Sequence, residues 1–261
     1  MNIPNELKSQ PWSQLLWADV QQYAHNIDAH LSLPEAPTVV DVGGNIGAAA
    51  LLFHLRYQAR VLSIEAIAET YAQLQLNCSS YAHITTVHQA VGASTGSTRF
   101  YRYPLAPGLG GLVSSRAYIW KVLSKQAVQQ ITWSSTKDVV LSPFRGLGVF
   151  LWSLFALLIV CTRRQQQVHQ ETLSKLINAH FEEGTIDLIK IDIEGHELNA
   201  LQGLEPSEWL RTQAFIIEVH PQHIDEVLCL LKHNGFALVH REPALLQGEQ
   251  LPEIVIAKRR D

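Results

Sequence analysis

Cysteine is scarce in this chain. Its 261 residues hold three, Cys78, Cys161 and Cys229, far apart and with no C-x-x-C pair, so neither a disulfide framework nor a thiolate zinc site is expected. A reducing cytoplasmic setting fits that usage. Positive charge is also short: 20 Lys and Arg stand against 24 Asp and Glu, for a net charge of -4 and a pI near 6.3. A protein built to grip phosphate backbones carries more, so nucleic acid is not expected as a partner. The first eleven residues include Asn5, Glu6, Lys8 and Gln10 instead of an apolar run, which argues against a secretory signal. Disorder as the main state is excluded by 47% hydrophobic and 17% charged residues, and the length suffices for a substantial core.

Periodicity then gives the organisation. Leu16, Val20, Tyr23, Ala24 and Ile27 recur at helical spacing before Pro34 and Pro37, which predicts an amphipathic helical cap over residues 1–37. β-branched runs predict strands at 38–42, 60–65, 84–91, 186–193, 214–219, 236–241 and 253–258, with helices at 48–57, 69–78, 171–180, 195–204 and 223–233 between them. Such alternation specifies a doubly wound, largely parallel α/β sheet of seven strands. From about 100 to 170 the alternation lapses. That stretch is too long for an unstructured loop in one domain, so residues 104–170 are expected to form an insertion between a cofactor-binding half, 38–103, and a second half, 171–261.

The first strand runs into Gly43-Gly44-Asn45-Ile46-Gly47. In a doubly wound sheet, ligands bind outside the carboxyl ends of the strands, beside the first one. Asp41, Gly43, Asn45 and Gly47 are therefore candidate cofactor residues. Glu65, ending the second strand, is placed to accept the hydroxyls of an adenosine ribose. The dinucleotide fingerprint requires a glycine where Asn45 stands, to admit a pyrophosphate. An adenosine ligand without pyrophosphate, S-adenosylmethionine, fits better than NAD.

The segment from Ile186 through Lys190, Asp192, Glu194, Gly195, His196 and Glu197 to Leu201-Gln202-Gly203 closely resembles the signature of the FkbM family of S-adenosylmethionine-dependent methyltransferases. Val40 to Gly47, Ile64-Glu65, Leu76-Asn77, Ala90 to Gly92, Glu171-Thr172-Leu173 and Ile217 to His220 resemble that family in the same order. The resemblance covers about 38–103 and 168–258. It implies a class I, Rossmann-like methyltransferase fold with the cofactor among Asp41, Gly43, Asn45, Gly47 and Glu65. It also implies O-methylation of a sugar, glycolipid or polyketide-like metabolite. After the third strand many such enzymes carry an acid near the adenine, whereas here His88 and Gln89 stand there, so Gln89 and Ala90 complete the candidate cofactor set. A dinucleotide oxidoreductase and a binding or scaffold protein with a vestigial cleft are the competing classes.

By the two-residue period of a strand, Lys190, Asp192 and Glu194 share one face of the fourth strand, and Glu218 and His220 share one face of the fifth. A covered parallel strand should be apolar on both faces, so this polar edge reads as the reacting cleft. Asp192, Glu194 and His220 are the candidate catalytic residues. His220 is expected to serve as a neutral-pH base. Asp192 and Glu194 position the acceptor or offer oxygens to a divalent ion, for which no ligand set is assigned. The plainer alternative has Glu194 and His196 orienting the turn and Lys190 pairing with an acid. Gly92 to Gly96 matches G-x-S-x-G, but an extended segment follows it instead of a helix.

Residues 146–161 carry no charge and are flanked by Arg145, Arg163 and Arg164. The run is shorter than the roughly 20 apolar residues of a membrane span. A crossing there would also place strands of one sheet on opposite sides of a bilayer. It is expected to dock on a membrane surface, at the inner face, near a lipid-linked saccharide acceptor, or to act as a lid or a subunit interface in a homodimer.

Overall fold

The computed structural model describes residues 2–8, 13–102, 154, 158, 161–162, 164–181, 183–242, 245–246, 249–250 and 252–260. Residues 1–98 with 167–261 form one compact unit and 99–166 another; the sheet and the candidate site belong to the first. Of the apolar run 146–161, only Leu154, Leu158 and Cys161 are described, so the docking expectation falls outside the described residues. No described helix is long and apolar enough to cross a membrane.

In chain order the elements are α1 (Asn5–Lys8), α2 (Ser13–His30), β1 (Thr38–Val42), α3 (Ala48–Tyr57), β2 (Arg60–Glu65), α4 (Ala68–Cys78), β3 (Ile84–His88), β4 (Ala90–Gly92) and β5 (Gly96–Arg102). β6 (Arg164–Thr172), α5 (Leu173–His180), β7 (Leu188–Ile191), α6 (Glu197–Gln202), α7 (Pro206–Arg211) and β8 (Ala214–Val219) follow. The last are α8 (Ile224–His233), β9 (Phe236–Glu242), the short pair β10 (Leu245–Leu246) and β11 (Glu249–Gln250), and β12 (Glu253–Arg259).

The main sheet has seven strands in the order β3-β2-β1-β7-β8-β12-β9. Strands β3, β2, β1, β7 and β8 run parallel, and β12 is antiparallel to both β8 and β9. Strand order reverses beside β1, where a doubly wound sheet leaves its ligand crevice. Period-two alternation splits the core into two layers. Val40, Val42, Ile189, Ile191, Phe215 and Ile217 face α5 to α8. Val39, Val61, Leu188 and Ile216 face α2 and α3, where Val20, Tyr23, Ala24 and Ile27 of α2 are buried with them.

Several boundaries differ from the sequence expectation. The strand expected over 84–91 breaks at Gln89, whose amide donates to the Glu65 carbonyl at 3.0 Å; beyond it, β4 leaves the main sheet and pairs in parallel with β6. The helix expected from residue 171 begins at Leu173, because Thr172 still belongs to β6 and caps α5 by accepting from the Lys175 amide. The helix expected over 195–204 stops at Gln202, and Pro206 starts α7 in the first-turn position where proline lacks no needed donor.

Candidate active site

On the face that carries Val61, Val39 and Leu188, the next register row toward the carboxyl ends is Ser63, Asp41 and Lys190. The apolar row thus gives way to a polar one under α2. All three side chains are buried, so each needs a partner. Ser63 donates to Asp41 Oδ2 at 2.7 Å, and Lys190 Nζ lies 3.1 Å from Asp41 Oδ1. The same ammonium donates to the Gly43 carbonyl at 2.9 Å and stands 3.6 Å from Asp192. Burial works against the Lys190 charge, but Asp41 and Asp192 outweigh it and hold its pKa above the usual lysine value.

Asp41 therefore lies beneath the candidate cleft, where Lys190 joins it to the Gly43 carbonyl and to the Asp192 carboxylate. The loop is also held from β2. The Gly43 and Gly44 amides both donate to the Ile64 carbonyl at 2.9 Å. Asn77 of α4 donates to the Ile46 carbonyl at 2.8 Å. Gly43 has φ +85°, and a Cβ added to it would lie 1.9 Å from the Asp192 carbonyl oxygen. What glycine permits at this position is close passage of the loop against β7's own end, a tighter constraint than approach to a ligand.

Glu65 is buried. Its Oε2 accepts from the Asn45 amide at 2.8 Å, and its Oε1 accepts from the Ile67 amide and the Thr70 hydroxyl at 2.8 and 2.9 Å. The expected ribose acceptor is thus first a brace for the loop, with Asn45 in the left-handed region at φ 48°. A carboxylate has about four acceptor positions, and Oε2, with one bond, retains capacity for a ribose hydroxyl. Burial raises the Glu65 pKa against the opposing effect of those donors. Gln89 is half-buried and Ala90 buried in β4. Beside them the His88 ring stacks on Tyr71 at 4.8 Å.

At the reacting edge, strand geometry ends at Ile191. Asp192 keeps the orientation expected of it, but Glu194 and Gly195 have φ 50° and 95°, so the strand period does not place Glu194. It sits on a tight turn whose Gly195 amide donates to Glu197 Oε1 at 2.6 Å. Glu197, fully buried, braces this turn through that bond, a role considered for Glu194 and His196 only as the plainer alternative. His220 stands between two acids, 3.3 Å from Glu197 and 3.6 Å from Glu194. Burial disfavours its charged form, but Glu194 and Glu197 prevail and push the imidazole up to about 10. Held between these two carboxylates, the imidazole favours its protonated form at neutral pH, which weighs against the neutral-pH base expected of His220.

A pH-dependent stability follows. A folded-state pKa of about 10 against an ordinary 6.5 means that the cation stabilises the fold fully below about pH 6.5 and progressively less as pH rises through the folded value. His220→Gln should therefore lower the urea midpoint most in mildly acidic buffer, with the gap to wild type closing toward pH 10. A gap that widens with pH would contradict the ion-pair assignment.

The third component comes from α2. Tyr23, buried at 6% exposure, places its hydroxyl 3.1 Å from Asp192 Oδ2 and 3.2 Å from Glu218 Oε2. Burial first, then the two carboxylate charges, raise its pKa well above 10. Sequence periodicity recorded Tyr23 only as an apolar position; the available signal was that a buried tyrosine needs a partner for its hydroxyl. Among the described residues, no group of three or more His, Cys, Asp or Glu is arranged to hold a metal ion.

Residues 41–238 match the model of the methyltransferase FkbM domain. The chain is 25% identical over 230 residues to the 31-O-demethyl-FK506 methyltransferase FkbM of Streptomyces tacrolimicus, covering 86% of this chain and 82% of that protein. It is 25% identical over 243 residues to methyltransferase sdnD of Sordaria araneosa, covering 88% and 84%. Among solved structures, it is similar to precorrin-6y C5,15-methyltransferase from Geobacter metallireducens, with TM-score 0.42, 8% identity and coverage of 99% and 93% of the two chains. With the family model spanning most of the sheet and every cleft residue described above except Tyr23, the chain belongs to the FkbM methyltransferase family and uses S-adenosylmethionine as its cofactor.

Proposed function

We propose that the chain is an O-methyltransferase acting on a hydroxyl of a sugar, glycolipid or polyketide-like metabolite. The observation that carries this reading is the joining of loop 43–47 to the reacting edge through one buried cation: Lys190 bonds the Gly43 carbonyl while pairing with Asp41 and Asp192. Residues that would hold a cofactor and residues that would meet an acceptor are thereby fixed relative to each other, which is the positioning that a bimolecular transfer needs.

S-adenosylmethionine supplies, when bound, a methyl group on a positively charged sulfur. Gly43, Asn45 and Gly47 would bring the loop backbone to it, Glu65 would offer Oε2 to the ribose, and Gln89 and Ala90 would complete the set that holds it. Asp192 faces the acceptor hydroxyl and orients it. Glu194, paired with the buried His220 behind it, would meet the acceptor's polar groups. Two features support a small or lipid-linked acceptor: the Streptomyces relative is a 31-O-demethyl-FK506 methyltransferase, and the run 146–161 is uncharged.

Calorimetric titration separates this reading from its competitors. S-adenosylhomocysteine should bind and NADH should not; binding of NADH alone would point to an oxidoreductase, and binding of neither to a vestigial cleft. An acceptor screen with labelled cofactor, run on lipid extracts and saccharides in parallel, then identifies the methylated class.

A further inference from the structure

A phenol has one proton to donate, yet the Tyr23 hydroxyl lies within hydrogen-bond distance of both Asp192 and Glu218. It can donate to only one of them. The other contact is satisfied when that carboxyl is itself protonated and donates to the Tyr23 oxygen. Lys190, 3.6 Å from Asp192, selects Asp192 as the ionised member, so the chain of donors runs from Glu218 through Tyr23 to Asp192. The surroundings agree with that direction. Facing the pair are Asp19 and Tyr23 of α2, Lys190 of β7 with Asp41 of β1 behind it, Glu194 on the turn, and the apolar Ile254 of β12 opposite Glu218. One ammonium stands among several carboxylates. The Asp192 charge first, then burial, then the Glu194 charge push Glu218 up to about 8, against the lowering effects of Tyr23 and Lys190.

We propose that Glu218 is the proton-handling residue of the transfer: it releases its proton as the cationic cofactor enters, and takes one from the acceptor hydroxyl when the methyl group moves. This rests on the function proposed above. In the transfer, a lone pair of the acceptor oxygen forms the new O–C bond, the C–S bond breaks with its electrons going to sulfur, and the acceptor's O–H proton passes to the Glu218 carboxylate. The charge stays level throughout. The empty pair holds one proton and a net charge of about -1; with a sulfonium present, two carboxylates offset one cation; after transfer, a neutral thioether faces a pair that has regained its proton. Asp192 stays ionised beside Lys190, and Tyr23 is a positioning residue that links the two.

The test compares S-adenosylmethionine with S-adenosylhomocysteine, which share their ammonium and carboxylate but differ in charge at sulfur. The full chain is titrated with each at pH 7, in two buffers of different ionisation enthalpy. Wild type should release about one more proton with S-adenosylmethionine than with S-adenosylhomocysteine. Glu218→Gln should bind both and show no difference. Tyr23→Phe, which removes the hydroxyl that links the two carboxyls, should keep the difference but shift the pH range in which it is seen. The proposal is overturned if wild type shows equal proton linkage for the two ligands, or if the difference survives in Glu218→Gln. Should that variant not fold, an unmoved pH dependence in Tyr23→Phe overturns it instead. Failure of both ligands to bind wild type would sink the proposed function itself, and this inference with it.

Discussion

Gly43→Ala should abolish detectable cofactor binding, with S-adenosylhomocysteine affinity falling by at least ~100-fold, about 2.7 kcal/mol. The new Cβ would lie 1.9 Å from the Asp192 carbonyl oxygen and 2.9 Å from its carbon. Both are backbone atoms, so no side-chain rotation relieves the contact. The φ of +85° adds strain of about 1–2 kcal/mol for a residue with a Cβ. The loop must move, and movement breaks the Gly43 and Gly44 amide bonds to Ile64 and the Lys190 bond to the Gly43 carbonyl. A lower melting temperature should accompany the loss. Gly96→Ala is the control, since a Cβ there meets nothing within 4 Å and should change neither quantity. Retention of S-adenosylhomocysteine binding within about threefold of wild type in Gly43→Ala would show that the loop does not set the cofactor site.

The second large effect is on stability. Lys190→Met keeps the buried stem and removes the charge, leaving Asp41 at 0% exposure without its cation. Stripping one partner from a buried ion pair costs about 3–5 kcal/mol, which for a chain of this size lowers the melting temperature by roughly 10 °C. The sign of the pH dependence is diagnostic. The deficit should be full at neutral pH and shrink in acid, where the stranded carboxyls become neutral. Asp41→Asn combined with Lys190→Met should recover part of the loss, because the unpaired charge is gone. A single variant as stable as wild type in guanidinium titrations would mean that the ammonium contributes charge to the cleft without supporting the fold.

The parallel half of the sheet was legible because a strand covered on both faces leaves a dense apolar record: Val39, Val40, Ile189, Ile191, Ile216 and Ile217 announce β1, β7 and β8. Departures from that record were equally readable. Lys190 and Asp192 stood out as polar residues where apolar ones belong and Asp41 as a candidate cofactor residue, and the structure places all three within one ion-pair cluster. β6 was not legible, since Arg164 to Thr172 is almost wholly polar and gains its strand identity from pairing with β4. Neither was the state of His220, because the acid that completes its surroundings, Glu197, sits on another element and enters only through the fold of the turn. Tyr23 shows the same limit from the other side. Its apolar ring set its helical register, while its hydroxyl function depended on residues 169 and 195 positions away.

The placement of β12 between β8 and β9 has a consequence for synthesis. Translation delivers β9 before the strand that joins it to the rest of the sheet. Until residues 253–259 clear the ribosome, β8 presents an open edge and β9 has no ladder to enter. An unpaired edge invites pairing with other chains, and domains fold as their parts emerge. Glu218 and the end of β8 therefore gain their antiparallel neighbour, Ile254 opposite Glu218, only after β12 has emerged. A ribosome stalled before residue 253 would hold a nascent chain whose cofactor loop is already made but whose reacting edge is still without its flank.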